Sequence, residues 1–167
     1  LAWAEGYDGT GQTIVVLDTG VDKTHPWFTN GGSKVVSEAC YSSNATDVLS
    51  LCPGGVESST AAGSGINCDA ALADCEHGTH VAGIAVGDNA SGPDFGVARG
   101  ADLISIQVFS RFNDPADCGD DPVPCIASFS SDQILALERV YELRNSFAIA
   151  AVNMSLGGGR FFDQASC

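Results

Sequence analysis

Residues 13–20 read Thr-Ile-Val-Val-Leu-Asp-Thr-Gly, a β-branched apolar run that stops at Asp18. Runs of this kind are typical of strands buried in a parallel sheet. Two similar runs follow at Asp102–Phe109 and Ala148–Val152, and helical patterns separate them. Strands that alternate with helices predict a parallel α/β sheet, in which chemistry gathers at the carboxyl ends of the strands. Asp18 and Ser155 both follow such an end.

The two helical patterns differ in their apolar positions. A helix is predicted to begin at His77, because residues 81–85 offer an apolar face of small side chains that lets a helix approach a sheet closely. A second helix is predicted from a cap at Ser131 to about Asn145. Its buried face is predicted to carry Ile134, Leu137 and Tyr141.

Two irregular segments interrupt this alternation. They cover approximately residues 37–75 and 110–130, are rich in turn-forming residues, and are predicted to be long loops held by cysteines. Because no interdomain linker separates them from the strands and helices, residues 1–167 are predicted to form a single domain with two cysteine-bearing inserts.

The chain contains seven cysteines, which is many for 167 residues. Cysteines at this density indicate disulfides formed in an oxidising compartment, so we expect a secreted or extracellular protein. Pairing of nearest neighbours would close three short loops, although sequence alone does not fix the connectivity. Cys167 then has no mate, and is either free or paired with polypeptide outside these residues. The disulfide candidates are Cys40, Cys52, Cys68, Cys75, Cys118 and Cys125.

The charge of the chain excludes some classes of partner. A formal net charge of −14 repels phosphate backbones and anionic membrane surfaces, so we expect neither nucleic acid nor membrane as a partner. No segment reaches the roughly 18 consecutive apolar residues of a membrane span. No signal peptide is evident either, so an exported protein would already have lost its leader.

Asp18 and His77 are the residues best suited to catalysis. A carboxylate at the end of a buried strand can accept the Nδ1 hydrogen of an imidazole, although a turn aspartate bonded to its own backbone is the simpler interpretation of Asp18 alone. A histidine at a helix start is held by rigid backbone and has a suitable pKa for a general base. We interpret His80 as structural and His25 as a turn or surface residue.

Three motifs, taken together, favour the catalytic interpretation of Asp18 and His77 over the structural one. Asp18-Thr-Gly20, His77-Gly-Thr-His-Val-Ala-Gly-Ile84 and Asn153-Met-Ser-Leu-Gly-Gly158 occur in this order, and the chain resembles the subtilisin-like serine proteases over nearly its whole length. The resemblance implies a three-layer α/β sandwich around a mostly parallel sheet. It also implies an endopeptidase with Asp18 as orienting acid and His77 as general base, acting on protein or peptide substrates. The implied substrate-binding edge consists of Ser155, Leu156, Gly157 and Gly158.

The sequence also departs from that family. It contains neither the Gly-Thr-Ser-Met-Ala motif of the nucleophile nor the accompanying asparagine that donates to the oxyanion. We therefore expect this chain to be an incomplete catalytic domain, inactive alone, whose remaining C-terminal part is its partner. One alternative is an inactive relative that binds peptides. Another is a metal-binding disulfide scaffold with Cys75, His77 and His80 as ligands.

No cofactor is required by the chemistry that the resemblance implies. Calcium remains open, since members of the family commonly bind it and residues 88–94 offer oxygen ligands in a loop. However, Trp27 follows His25-Pro26 at the position where the family often has an aspartate. That difference argues against the usual high-affinity site.

Overall fold

The structure, a computed structural model, describes residues 2–157 and contains two sheets. The larger sheet has the strand order β4-β2-β5-β1-β8, and the smaller one has the order β3-β6-β7. The strands are β1 (Thr13–Asp18), β2 (Val35–Tyr41), β3 (Val48–Ser50), β4 (Ser58–Ser59), β5 (Asp102–Gln107), β6 (Ser110–Phe112), β7 (Cys125–Ala127) and β8 (Ile149–Asn153). The helices are α1 (Pro26–Thr29), α2 (His77–Val86), α3 (Pro115–Cys118) and α4 (Ser130–Leu143).

The larger sheet is mostly parallel, as the sequence predicts. β1 lies between β5 and β8 and runs parallel to both, and β2 runs parallel to β5. Only the short β4 is antiparallel, pairing with the end of β2. Because β1 and β8 are parallel neighbours, with Val16 opposite Asn153, the carboxyl ends of these two strands lie at the same edge of the sheet.

Helices cover both faces of this sheet and so form three layers. Side chains alternate between the faces along each strand. Val16 packs in one core with Ala82 and Val86 of α2. Val15 and Leu17 pack in the other core, which includes Ala136 and Val140 of α4. The predicted α/β sandwich is therefore confirmed.

The first helix agrees with its prediction and the second agrees only in position. α2 begins at His77 and buries Gly78, Ala82, Gly83 and Val86. α4 begins one residue before Ser131, so Ser131 is not its cap, and it ends at Leu143. Its buried residues are Asp132, Ala136, Val140 and Leu143. The predicted buried face is wrong: Ile134, Leu137 and Tyr141 are 56%, 41% and 65% exposed.

The buried face of α4 differs from the predicted face because it includes a charged residue. Asp132 is only 1% exposed. Its carboxylate accepts hydrogen bonds from the backbone N–H and from the hydroxyl of Ser43, at 2.9 and 2.8 Å. These bonds compensate for the loss of solvent around the carboxylate, so a polar residue occupies a core position.

The two predicted loops contain more regular structure than the sequence indicates. Residues 37–41 belong to β2, so the first insert begins after Tyr41. β3 of the first insert pairs with β6 of the second, and β6 pairs with β7, to form the antiparallel smaller sheet. The cysteines of the described part pair with their nearest neighbours, as Cys40–Cys52, Cys68–Cys75 and Cys118–Cys125. Cys167 lies outside the described residues.

The last strand differs from the first in burial. β8 is an edge strand within residues 2–157, and its residues 150–152 are exposed. The interpretation of Ala148–Val152 as a buried strand is therefore correct for the strand and wrong for its burial.

Within residues 2–157, no helix combines the length and the apolarity that are needed to cross a membrane.

Candidate active site

Asp18 and His77 meet at the carboxyl edge of the larger sheet. Asp18 is the last residue of β1, His77 is the first of α2, and Asp18 Oδ1 lies 2.8 Å from His77 Nδ1. The Asp18 side chain is fully buried, whereas the His77 side chain is 43% exposed. The pair therefore combines a carboxylate shielded from water with an imidazole that solvent or a substrate can reach.

The Asp18 carboxylate has unequal oxygen atoms. Oδ1 accepts both from the His77 ring and from the backbone N–H of Thr19, the latter at 2.7 Å. Oδ2 is buried and has no hydrogen-bond partner among residues 2–157. Since Oδ1 accepts the Nδ1 hydrogen of the ring, the proton-accepting nitrogen is Nε2, the arrangement required of a general base.

A close approach between α2 and the end of β1 brings the two residues together. A Cβ at Gly78 would lie 2.3 Å from the carbonyl oxygen of Gly20 and 3.1 Å from Asp18 Cβ and Oδ1. Only glycine fits this contact. The first turn of α2 is also held by Thr79, whose hydroxyl accepts the backbone N–H of Asp22 at 2.8 Å.

We expect Gly78→Ala to destabilise the protein by roughly 1–3 kcal/mol, the usual range for overpacking. The added methyl would push α2 away from Gly20 and from Asp18. Gly83→Ala is the matched control, because Gly83 is also a buried residue of α2 and a Cβ there meets only Trp27 Cε3, at 3.8 Å. Alanine favours a helix interior, so we expect Gly83→Ala to be neutral or stabilising. Urea unfolding of both variants measures the difference, and equal midpoints would contradict this account of the contact.

The predicted substrate edge continues from the neighbouring strand. Ser155 and Leu156 follow β8, and the Ser155 hydroxyl accepts a hydrogen bond from Asn153 Nδ2 at 3.0 Å. Leu156 and Gly157 line a cavity of about 660 Å³, whose other walls come from Phe109, the second insert and the start of α4. Ser155, Leu156 and Gly157 thus lie beyond the strand that neighbours β1, whereas Gly158 lies outside the described residues.

Comparison with known proteins identifies the family of the chain. The model of the subtilase family, a family of serine peptidases, matches residues 9–165. The chain belongs to the subtilase family. Alkaline serine exoprotease A of Vibrio alginolyticus is 29% identical over 159 residues, which are 95% of this chain and 21% of that protease. Bacillopeptidase F of Bacillus subtilis (strain 168) is 34% identical over 115 residues, which are 66% of this chain and 7% of that protein.

The fold also has a counterpart among solved structures. The Clostridium perfringens CspB protease superposes with a TM-score of 0.59 and 22% identity, over 93% of this chain and 31% of that one. At this identity the likeness shows the fold alone. The subtilase chain thus spans about a fifth of the length of the Vibrio relative and a third of the CspB chain.

The other two histidines of this subtilase have different surroundings. His80 lies on the exposed side of α2, one turn from His77. His25 is the N-cap of α1, where its Nδ1 accepts the backbone N–H of Trp27 at 3.3 Å, and its ring packs against Phe28. His25 thus has a structural role.

The residues proposed for a metal scaffold are not arranged as ligands. The Cys75 sulfur is bonded to that of Cys68, so it is not a thiolate that could bind zinc. Across residues 2–157, no group of three or more His, Cys, Asp or Glu residues is placed to hold a metal ion. This arrangement argues against the alternative of a metal-binding scaffold.

Two oxygen atoms of the loop considered for calcium accept hydrogen bonds within the protein. Asp88 Oδ2 accepts a hydrogen bond from Asn30 Nδ2 at 2.8 Å, and Asn89 Oδ1 accepts the N–H of Ser91 at 3.1 Å. Calcium binding by the subtilase stays an untested prediction.

One carboxylate near the site is held in its charged form. The Thr24 hydroxyl donates to Asp22 Oδ1 at 2.6 Å and lowers the pKa of that carboxyl below its ordinary value of 3.8. The backbone N–H of Thr24, 2.9 Å from the same oxygen, acts in the same direction. Both hydrogen bonds favour the ionised carboxylate.

Thr19 is the residue of this site to which the sequence analysis gave no role. It is 1% exposed and makes hydrogen bonds through its N–H, its carbonyl and its hydroxyl. A threonine between an aspartate and a glycine is a common turn pattern, so its side-chain partners, 56 and 59 residues away, give no local signal.

Proposed function

We propose that this protein is a serine endopeptidase of the subtilisin type that hydrolyses protein or peptide substrates through an Asp-His-Ser triad. The observation that carries the proposal is the 2.8 Å contact between buried Asp18 and half-exposed His77. Membership of the subtilase family and the names of the related proteases support it. Asp18 is the orienting acid and His77 the general base.

The proposed reaction follows from the positions of these two residues. A serine hydroxyl attacks the carbonyl carbon of the scissile peptide bond while His77 Nε2 accepts the hydroxyl proton. Asp18, bonded to Nδ1, stabilises the imidazolium that forms. The imidazolium then donates that proton to the departing amine as the C–N bond breaks. A water molecule activated by the same nitrogen hydrolyses the acyl-enzyme.

Substrate would bind along residues 155–158. Backbone groups that follow an edge strand can pair with an extended peptide as an added strand. Leu156 would contact the peptide at the wall of the neighbouring cavity, and Gly157 and Gly158 would leave its opening clear.

The nucleophilic serine would come from polypeptide outside these 167 residues. Ser155 is placed at the substrate edge by the resemblance, and the chain has no Gly-Thr-Ser-Met-Ala motif. The partner of this chain is then the C-terminal remainder of the catalytic domain. The missing motif also favours a second candidate, a relative that binds peptides without cutting them.

We further propose that the protein is secreted. The three disulfides require an oxidising compartment during folding, and one of the related proteins is named an exoprotease.

We expect a fluorophosphonate probe to label the protein expressed from its complete gene and to leave the 167-residue chain unlabelled. The probe reacts with a serine that a neighbouring histidine activates, and intact-mass spectrometry counts the added groups. Preincubation with a peptide aldehyde, which occupies such a site, should block the labelling. A label on the 167-residue chain would contradict the proposal that the serine lies outside it. An unlabelled complete protein that still binds peptides would favour the second candidate.

A further inference from the structure

We propose that Thr19 is a positioning residue for Asp18 and His77, and that the Cys68–Cys75 disulfide loop acts through it. The inference rests on the proposed function of the acid–base pair. Thr19 follows Asp18 in the chain, and its backbone N–H donates to Asp18 Oδ1 at 2.7 Å. Its other hydrogen bonds connect Thr19 to the segment that leads into His77 and to the first turn of α2.

The Thr19 hydroxyl serves as the cap of α2. The first N–H groups of a helix have no partner within the helix, and the side chain of the preceding residue usually accepts one of them. Here the preceding residue is Glu76, and its side chain makes no such bond. The Thr19 Oγ1 accepts the N–H of Gly78 instead, at 2.9 Å. The start of the helix is thus fixed to the end of β1 and not to its own flanking residue.

The same hydroxyl also binds the disulfide loop. Thr19 Oγ1 donates to the carbonyl oxygen of Cys75 at 3.0 Å, and the Thr19 carbonyl accepts the N–H of Cys68 at 3.1 Å. Both cysteines of this disulfide are therefore hydrogen-bonded to Thr19. The hydroxyl therefore donates a hydrogen bond to a residue before His77 and accepts one from a residue after it.

The disulfide loop is itself fixed on its outer side. Cys68, Leu72 and Cys75 form a small buried cluster, against which Leu51 of the first insert and Ile126 of the second are packed. The loop therefore has little freedom to move away from Thr19. The loop fixes the conformation of the chain that continues into Glu76 and His77. This conformation sets the distance between the imidazole and Asp18.

Thr19→Val tests the hydroxyl with little change in side-chain shape. A displacement of about 1 Å in a catalytic group can lower turnover on the order of 100-fold, and we expect a loss of kcat of about that size with KM little changed. Thr19→Ser retains the hydroxyl and should restore most of kcat. The assay uses a fluorogenic peptide and the protein expressed from its complete gene. Equal kcat values for the two variants, or an effect confined to KM, would overturn the proposal.

A matched pair of disulfide deletions separates positioning from stability. The Cys40–Cys52 bridge is the control, because neither of its cysteines lines the cavity beside Leu156. It closes a loop of 12 residues and Cys68–Cys75 one of 7, so removal of either bridge should relax the unfolded chain to a similar extent. We expect Cys68→Ala with Cys75→Ala, and Cys40→Ala with Cys52→Ala, to lower Tm by similar amounts. Only the first pair should lower kcat at a temperature where both variants are folded. Equal losses of kcat would mean that the first bridge contributes stability alone.

A spectroscopic measurement keeps this inference distinct from the proposed activity. The Nδ1 hydrogen of His77, shared with a buried carboxylate, should give a proton resonance at unusually low field whether or not the protein turns over substrate. We expect that resonance to persist in Thr19→Ser and to broaden or disappear in Thr19→Val and in the Cys68/Cys75 double variant. An unchanged resonance in these two would refute the positioning role. If Thr19→Val does not fold, the disulfide pair and this resonance decide the question.

Discussion

Replacing His77 by glutamine should lower kcat for peptide hydrolysis about 10⁶-fold, the loss seen when the triad histidine of subtilisin is removed. Glutamine has an amide that can bond to Asp18 but no nitrogen that can take up a proton at neutral pH. The serine hydroxyl would then keep its proton and remain a poor nucleophile. The residual rate would come from substrate binding and oxyanion stabilisation.

The control for this variant is His80→Gln. His80 lies in the same helix, about one turn after His77, and is exposed. We expect kcat within about twofold of the parent protein, since surface substitutions have small effects. Steady-state kinetics compares kcat of the two variants, each made in the protein expressed from its complete gene. Circular dichroism shows that both variants are folded. Comparable losses in the two variants would show that His77 is not the general base.

Asp18→Asn should lower kcat about 10⁴-fold and leave the fold intact. With the amide oxygen toward the ring, the contacts to Thr19 and His77 survive but the negative charge that stabilises the imidazolium is lost. With the amide nitrogen toward the ring, Nδ1 must accept and Nε2 carries the hydrogen, so Nε2 cannot act as a base. The first orientation has its own cost, because the NH₂ group would occupy the buried position of Oδ2, which has no partner among the described residues.

Asp22→Asn is the matched control for the second variant. It makes the same chemical change four residues further on, where the carboxylate bonds to Thr24 and not to the imidazole. We expect its kcat to stay within about threefold of the parent protein, as for other surface changes. Loss of activity in Asp22→Asn similar to that in Asp18→Asn would show that net charge near α2, and not the bond to His77, explains the effect.

The sequence predicts the part of the fold that depends on local pattern. The β-branched run before Asp18 is buried as β1, and the small residues after His77 form a helix that approaches the sheet closely. The placement of Asp18 beside His77 follows from these two elements, because a strand end and a helix start meet at the same edge of a parallel sheet. The position of the predicted substrate edge after β8 has the same origin.

Features that depend on distant partners were not predictable in this way. α4 buries Asp132 because Ser43, 89 residues away, donates to it, so the apolar spacing of Ile134, Leu137 and Tyr141 indicated the wrong face. β3, β6 and β7 have only three residues each, too few to show an alternating pattern. Thr19 was missed because its hydrogen-bond partners lie beyond any local window.

The smaller sheet has a consequence for how this protein could change over generations. Its strand β3 comes from the first insert, and β6 and β7 come from the second; the hydroxyls of Ser42 and Ser110 meet at 2.8 Å beside the junction. The two stretches are separated in the gene yet complete a single unit. A recombination break between β4 and β6 would bring together halves with different histories and leave strand edges unpaired. We therefore expect lineages to gain, lose or exchange both stretches together, and transplants into another subtilase to succeed only as a pair.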